Sequence, residues 1–340
     1  MIAIRPRSLA GILVLALLPG TLLAQGNVNV YSARQEALIK PLVERFTEET
    51  GIRVNIVSAQ ADALLQRLLR EGRNTPPDVL LTLDAGNLHG AKEAGVLQAV
   101  RSDALEASVP ESYRDPDGYW YGLSVRARPI LYVKGKVDPA ELRSYEDLAD
   151  PKWRKRICIR SSSNVYNQSM VASMIIANGE ESTESWARGL VANMARPPQG
   201  GDRDQIRAAA AGQCDIAIAN TYYLGQMLNG DAADRSAAGA IGVVWPNQED
   251  RGVHVNVSGA GMTTHARNAE NARRFLEFLA GQAAQQWYAD ANQEYPVTPG
   301  VPVSDTLQEF GPFRADTVNL ALLGSHNAAA VRLMDRVNWR

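Results

Sequence analysis

Residues 28–83 read VNVYSARQEALIKPLVERFTEETGIRVNIVSAQADALLQRLLREGRNTPPDVLLTL, and the spacing of their apolar positions decides the fold. Val28 to Tyr31 is a short apolar strand. Leu38, Leu42, Val43 and Phe46 then recur at helical spacing, and Gly51 closes that helix. Ile52, Val54 and Ile56 alternate as a strand, and over 61–71 Leu64, Leu65, Leu68 and Leu69 share one helical face. Pro76-Pro77 resets the chain before a strand from Asp78 to Leu83. Strand, helix, strand, helix, strand predicts a parallel α/β sheet covered on both faces.

On the N-terminal side of this stretch the sequence changes character. Arg5 and Arg7 precede an apolar run, Leu9 to Leu18, too short to span a bilayer. Pro19-Gly20 breaks the run, and Leu22-Leu23-Ala24 precedes Gln25. This pattern predicts a secretory leader, residues 1–24, cleaved after Ala24, and hence a periplasmic product. No cysteine stands at the cut to carry a lipid. Removing the leader leaves 316 residues with a formal charge of −4, about two domains' worth of chain. Over the full 340 residues, 35 Lys and Arg against 37 Asp and Glu argue against a general electrostatic attraction to nucleic acid or anionic membrane. Cys158 and Cys214 are the only cysteines. In an oxidising compartment an even pair predicts one disulfide, with two buried thiols as the alternative.

On the C-terminal side, Tyr119-Trp120-Tyr121-Gly122-Leu123 and Ile130 to Val133 read as extended segments flanking a polar connection, Ser124 to Arg128. A second α/β series follows: a strand at 156–160, helices at 166–178, 185–194 and 205–211, and a strand at 215–219. Residues 241–245 and 253–257 are again extended, and Ala272, Phe275, Leu276 and Leu279 lie on one helical face. Two α/β series joined by extended crossings near 120–128 and 243–254 predict two lobes with a cleft between them. The predicted lobes are 25–124 plus 249–299, and 125–248 plus 300–340.

Three loops carry the polar chemistry. Asn220-Thr221-Tyr222-Tyr223 follows the apolar strand Ile216 to Ala219 and opens a helix, at the strand edge where α/β sheets bind ligands. Arg160-Ser161-Ser162-Ser163-Asn164 leads into a helix opened by Val165-Tyr166, whose exposed N–H groups favour an anion. In the first lobe, Tyr31-Ser32-Ala33-Arg34-Gln35-Glu36 follows a strand; Arg34 offers a bidentate fork to an anion, and Glu36 a carboxylate. Arg126, at the crossing, would face the same cleft. Clustered phenols suit Fe(III), a hard cation that prefers anionic oxygen. An anion such as carbonate would fill the remaining coordination positions, its charge met by Arg34 or Arg126. Read without that cation, the tyrosine pair is packing, the serine run a helix cap, and Asp84 a cap for a helix over 86–94. The four histidines, His89, His254, His265 and His326, show no metal-ligand spacing, and no nucleophile–base arrangement argues for an enzyme.

These loops, with Asp147-Leu148-Ala149-Asp150-Pro151-Lys152-Trp153 and Phe275 to Leu279, resemble the periplasmic ferric-iron-binding proteins that serve ABC transporters, the bacterial transferrin-like solute receptors. Ser163-Asn164-Val165-Tyr166-Asn167-Gln168 and Asn220 to Tyr223 are the specific elements. The resemblance implies a two-lobed periplasmic binding protein fold with two crossing strands, of the class II solute-receptor type. It implies Tyr166, Tyr222 and Tyr223 as ferric tyrosinates, with Arg34 and Arg126 near a synergistic anion and Asn164 and Asn220 at the anion-binding turns. The implied partner is an inner-membrane ABC permease, met by a monomeric receptor. Many relatives place His-Tyr directly after Tyr-Ser-x-Arg, where this chain has Gln35-Glu36. Either Glu36 replaces a first-lobe ligand, or three second-lobe tyrosines hold iron with an exogenous anion or water. A receptor of the same fold for an organic anion or a polyamine is the competing reading.

Overall fold

The computed structural model describes residues 26–340; the expected leader, residues 1–24, lies outside them. The first series is β1 (Asn27–Ser32), α1 (Lys40–Thr50), β2 (Arg53–Ser58), α2 (Ala61–Glu71), β3 (Val79–Thr82) and α3 (Ala85–Glu93). Pro41 sits in the first turn of α1, and Gly51 ends that helix in the left-handed region at φ 73°. Then come β4 (Leu97–Gln98), α4 (Asp103–Ser108), β5 (Tyr121–Ala127) and β6 (Ile130–Val133). The second series is β7 (Ile157–Cys158), α5 (Val165–Asn178), α6 (Glu180–Asn193), α7 (Asp202–Ala210), β8 (Ile216–Ile218), α8 (Thr221–Leu228), α9 (Ala232–Gly239) and β9 (Ile241–Val244). The chain closes with β10 (Val255–Thr263), α10 (Ala269–Ala280), α11 (Gln282–Asp290), β11 (Tyr295–Pro296), α12 (Asp305–Gln308) and α13 (Ala321–Arg336).

Two sheets result. The first has the order β11-β5-β10-β3-β1-β2, with β4 also paired to β10; the second has the order β7-β8-β6-β9. The expected parallel sheet is found only in part. β1 is parallel to both β2 and β3, but β10 enters antiparallel to β3 and to β5. The chain leaves the first sheet at Ala127 and enters the second at Ile130; it leaves the second at Val244 and returns at Val255. These two crossings join the lobes, and α13 packs against both α3 and α5.

Two local expectations need correction. Ser124 to Ala127 is not a polar connection but the end of β5, buried throughout. Of its two polar side chains, Ser124 meets Glu294 at 2.8 Å, and Arg126 is turned toward the other lobe. β10 also runs six residues beyond Val257. Gly259 and Gly261 make the extension possible: a Cβ on either would stand 2.6 and 2.5 Å from the carbonyl oxygens of Tyr121 and Tyr119.

The larger buried cluster is continuous from the first sheet to the α5 and α6 side of the second. A smaller one, with Leu131, Ile206, Ala217 and Met227, fills the other face of the second sheet. Cys158 and Cys214 form a disulfide there, closing a loop over a sequence separation of 56. No helix among the described residues is long and apolar enough to cross a membrane.

Candidate functional site

β8 ends at Ile218 and α8 begins at Thr221, so Tyr222 and Tyr223 ride in a helix's first turn at the carboxyl end of a strand. Tyr166 arrives from the first turn of α5. There Asn164 is the N-cap, its Oδ1 accepting from the Tyr166 N–H at 3.2 Å. The Tyr166 and Tyr222 hydroxyls stand 3.3 Å apart, and the Tyr222 and Tyr223 rings overlap with centroids 4.1 Å apart. Two turns far apart in sequence therefore bring the three predicted phenols into one cluster.

Guanidinium groups surround it. Arg126, on β5 of the other sheet, lies 5.3 Å from the Tyr166 ring centre and 6.0 Å from that of Tyr222. Arg160 lies 5.7 Å from Tyr166, and Arg203 5.8 Å from Tyr223. Arg126 is 2 % exposed, and its Nε and Nη2 have no hydrogen-bond partner in the protein. Unpaired buried donors cost about 1–3 kcal/mol each, and an oxyanion beside the phenols would satisfy both.

The electrostatics keep the Tyr222 and Tyr223 phenols uncharged until a cation enters. Burial, then Tyr166 and Tyr223, pushes the Tyr222 phenol well above its usual range, with Arg126 opposing. Burial, then Tyr166 and Asp202, raises the Tyr223 phenol, with Arg160 opposing. Burial alone would weaken the Arg126 charge, but Tyr166, Tyr222, Glu294 and Asp84 together outweigh it and raise its pKa. Tyr222 and Tyr223 are therefore protonated at neutral pH, and a multivalent cation would have to expel their protons to bind. Among the described residues no group of three or more His, Cys, Asp or Glu is placed to hold a metal ion. The donor set on offer is phenolic oxygen, suited to a hard, highly charged ion.

Among the other predicted residues, the side chains of Arg34, Asn220 and Asp84 meet partners other than the phenols. Arg34, also 2 % exposed, pairs with Glu294 and lies 5.1 Å from the Tyr288 ring centre; none of its described contacts reaches the phenol cluster. Glu36 is exposed in a single 3₁₀ turn and borders a groove with Lys40, Val43 and Arg53 between α1 and β2. Asn220 stands at the N-cap of α8 without capping it, because its Oδ1 accepts from Arg128 Nη1 at 2.9 Å. Asp84 caps α3, accepting from the Gly86 N–H at 2.7 Å. It also accepts from Asn256 Nδ2 at 2.8 Å and, across to α5, from the Ser169 hydroxyl at 3.0 and 3.1 Å. Burial pushes its carboxyl up to about 6.

Sequence reasoning missed Arg128, Asp202 and Glu294. A signal existed for Arg128: two residues beyond Arg126 along an extended segment, it shares that residue's side of the strand. Glu294 stands between α11 and Tyr295-Pro296-Val297 and is held inside by Arg34 and Ser124, partners that local sequence does not reveal. Asp202 carried no local mark either.

Residues 74–315 match the family described as bacterial extracellular solute-binding protein. The chain is 50% identical over 317 residues to the iron uptake protein A1 of Synechocystis, covering 93% of this chain and 88% of that one. Among solved structures it is similar to the Trichodesmium protein (IdiA, FutA) in complex with iron and citrate ligands. That match has a TM-score of 0.90 and 46% identity, over 93% of this chain and 100% of that one. A ferric binding protein from Campylobacter jejuni matches with a TM-score of 0.88 and 37% identity, over 92% of this chain and 100% of that one. With two sheets joined by two crossings and a polar site at their strand ends, this chain belongs to the bacterial extracellular solute-binding proteins.

Proposed function

We propose that the protein is a periplasmic receptor that captures Fe(III) on Tyr166, Tyr222 and Tyr223 together with an oxyanion, and delivers it to an ABC permease for iron uptake. The observation that carries this reading is the 3.3 Å approach of two phenol hydroxyls from separate helix N-termini, with the Tyr223 ring tilted against that of Tyr222. Three phenolates neutralise a trivalent ion, and its attraction offsets the cost of ionising buried phenols. The relatives named for iron uptake and ferric binding support the cargo.

The oxyanion sits between the ion and Arg126, whose free Nε and Nη2 are its donors. Carbonate has the size and charge for this role. The citrate in the Trichodesmium complex supports an exogenous carboxylate as a second candidate. Arg34, held by Glu294, adds positive charge from behind the site rather than a direct contact. With Glu36 on an exposed turn, the charge of the ion is met by the three tyrosines. The leader is cleaved after Ala24, and the receptor works as a monomer. The lobes, 25–124 plus 249–299 and 125–248 plus 300–340, move about the two crossings to close on the ion. Release follows acidification, because protons compete for the phenolates, or reduction, because Fe(II) is the weaker Lewis acid.

Mixing the purified, metal-free protein with ferric citrate tests the reading. A visible phenolate-to-iron charge-transfer band, saturating at one iron per chain, is expected; a colourless mixture would refute it.

A further inference from the structure

The two tyrosine-bearing turns meet through a shared side chain that touches no tyrosine. Arg128 lies in the two-residue step between β5 of the first sheet and β6 of the second. Its backbone is clamped there: its N–H donates to the His254 carbonyl on the other crossing at 3.1 Å, and its own carbonyl accepts from the Tyr145 hydroxyl at 2.7 Å. The same Tyr145 hydroxyl accepts from the His254 N–H at 3.2 Å, so one phenol ties the two crossings together.

From this fixed base the Arg128 side chain, 1 % exposed, forks to both turns. Nη2 donates to Asn167 Oδ1 at 2.6 Å, next in sequence to Tyr166. Nη1 donates to Asn220 Oδ1 at 2.9 Å, two residues before Tyr222. Nη1 also reaches Asp202 Oδ2 at 3.1 Å, and the same carboxylate accepts from the Asn220 N–H at 2.8 Å and from Arg160 Nη1 at 3.3 Å. Asn167 in turn donates through Nδ2 to the carbonyls of Arg160 and Ser161, pinning the loop that leads to Tyr166. The neighbours of all three phenols thus hang on one planar, rigid guanidinium.

We propose that Arg128 is a positioning residue for the metal site: its two-armed fork fixes the separation of the α5 and α8 N-termini, and so the spacing of the three phenol oxygens. The inference rests on the ferric reading above. A lysine at this position keeps the charge opposite Asp202 but has no planar fork, so it cannot hold both asparagine oxygens in register. Supporting partners of this kind typically contribute 10–100-fold to metal affinity.

The test uses the full mature chain, ferric citrate as the iron source and EDTA as the acceptor. Arg128→Lys breaks the fork. Asn220→Ala breaks one arm of it and leaves the Arg128–Asp202 pair in place. Folding is checked by circular dichroism and thermal melting. Both variants are expected to bind iron, to shift the charge-transfer band relative to wild type, and to lose iron to EDTA at least about tenfold faster. Folded variants with the wild-type band position and iron-loss rate would overturn the proposal, even if their melting temperatures fell, since a purely structural role predicts that pattern. A wild-type protein without any band would overturn the ferric reading and this proposal together, whereas a normal wild type beside unchanged variants overturns this one alone.

Discussion

Replacing Tyr222 by Phe removes one oxygen from the centre of the cluster and little else. The ring keeps its overlap with Tyr223 at 4.1 Å and its place under Arg126. The variant loses one hydroxyl–hydroxyl contact, about 0.5–1.5 kcal/mol, and is relieved of burying a polar group, so the metal-free protein should melt within a few degrees of wild type. The effect on iron is of another order. A phenol ionises near pH 10 when unperturbed, so forming each phenolate at pH 7 costs about 4 kcal/mol, and more at Tyr222, which burial raises further. The ion therefore expels one proton per phenol it binds. With three phenols, apparent affinity should rise on the order of 1,000-fold per pH unit, and with two, on the order of 100-fold. Competition titrations of wild type and Tyr222→Phe against the same ferric citrate solution, from pH 6 to 8, measure the two slopes. Citrate's own proton chemistry cancels in the comparison. The difference between slopes should be close to one proton, with a weaker and displaced charge-transfer band in the variant. Equal slopes with an unchanged band would show that Tyr222 is not a ligand, and the ferric site built on it would fall.

Three further outcomes follow from buried charge and covalent structure. Glu294→Gln leaves the Arg34 guanidinium buried without its counter-ion, and should cost about 3–5 kcal/mol in urea unfolding at pH 7; a change under 1 kcal/mol would mean that the pair is neutral in the native state. Asp84 ionises near 6 instead of its ordinary 3.8, so the native form holds a proton that the unfolded chain has released between those values. Its contribution to stability should fall by about 2 kcal/mol as pH rises from 4 to 7. His254, held neutral down to about 3, works in the opposite direction, so the readout is the stability difference between wild type and Asp84→Ala across that range; a pH-independent difference refutes the assignment. Reducing the Cys158–Cys214 disulfide opens a loop over 56 positions and should lower stability by about 4 kcal/mol in the chain-entropy account, read as a drop in denaturation midpoint with reductant present.

What the sequence announced and what it hid divide along one physical line. Tyr166, Tyr222 and Tyr223 stand in the first turns of helices that follow apolar strands, and local pattern alone predicts that arrangement. The disulfide was legible because only one pairing exists. The antiparallel entry of β10 was not, since its glycines reveal their purpose only when Tyr119 and Tyr121 lie alongside. Glu294 is 260 residues from the arginine it neutralises, and Asp202 is 74 from Arg128. Such partners are selected by tertiary proximity, which no periodicity encodes.

The same division bears on Arg34, which the sequence offers as an anion donor and which the structure pairs with Glu294. An arginine after a strand, seen alone, looks available; seen with Glu294 and Tyr288, it is engaged through Nη2, with Nε and Nη1 left without partners. Arg126 has two unpaired donors as well, Nε and Nη2, but they belong to a guanidinium beside the phenols with no carboxylate ion-paired to it among the described residues. The difference between the two lies in Glu294, which holds Arg34, and in the phenols beside Arg126, and on that difference the proposed anion falls to Arg126. Replacing Arg126 by Leu should therefore weaken the effect of added carbonate or citrate on the charge-transfer band far more than Arg34→Leu does in any fraction of that variant that folds. An equal response in both would mean that Arg34 leaves Glu294 when the lobes close, and that the engaged arginine is the mobile one.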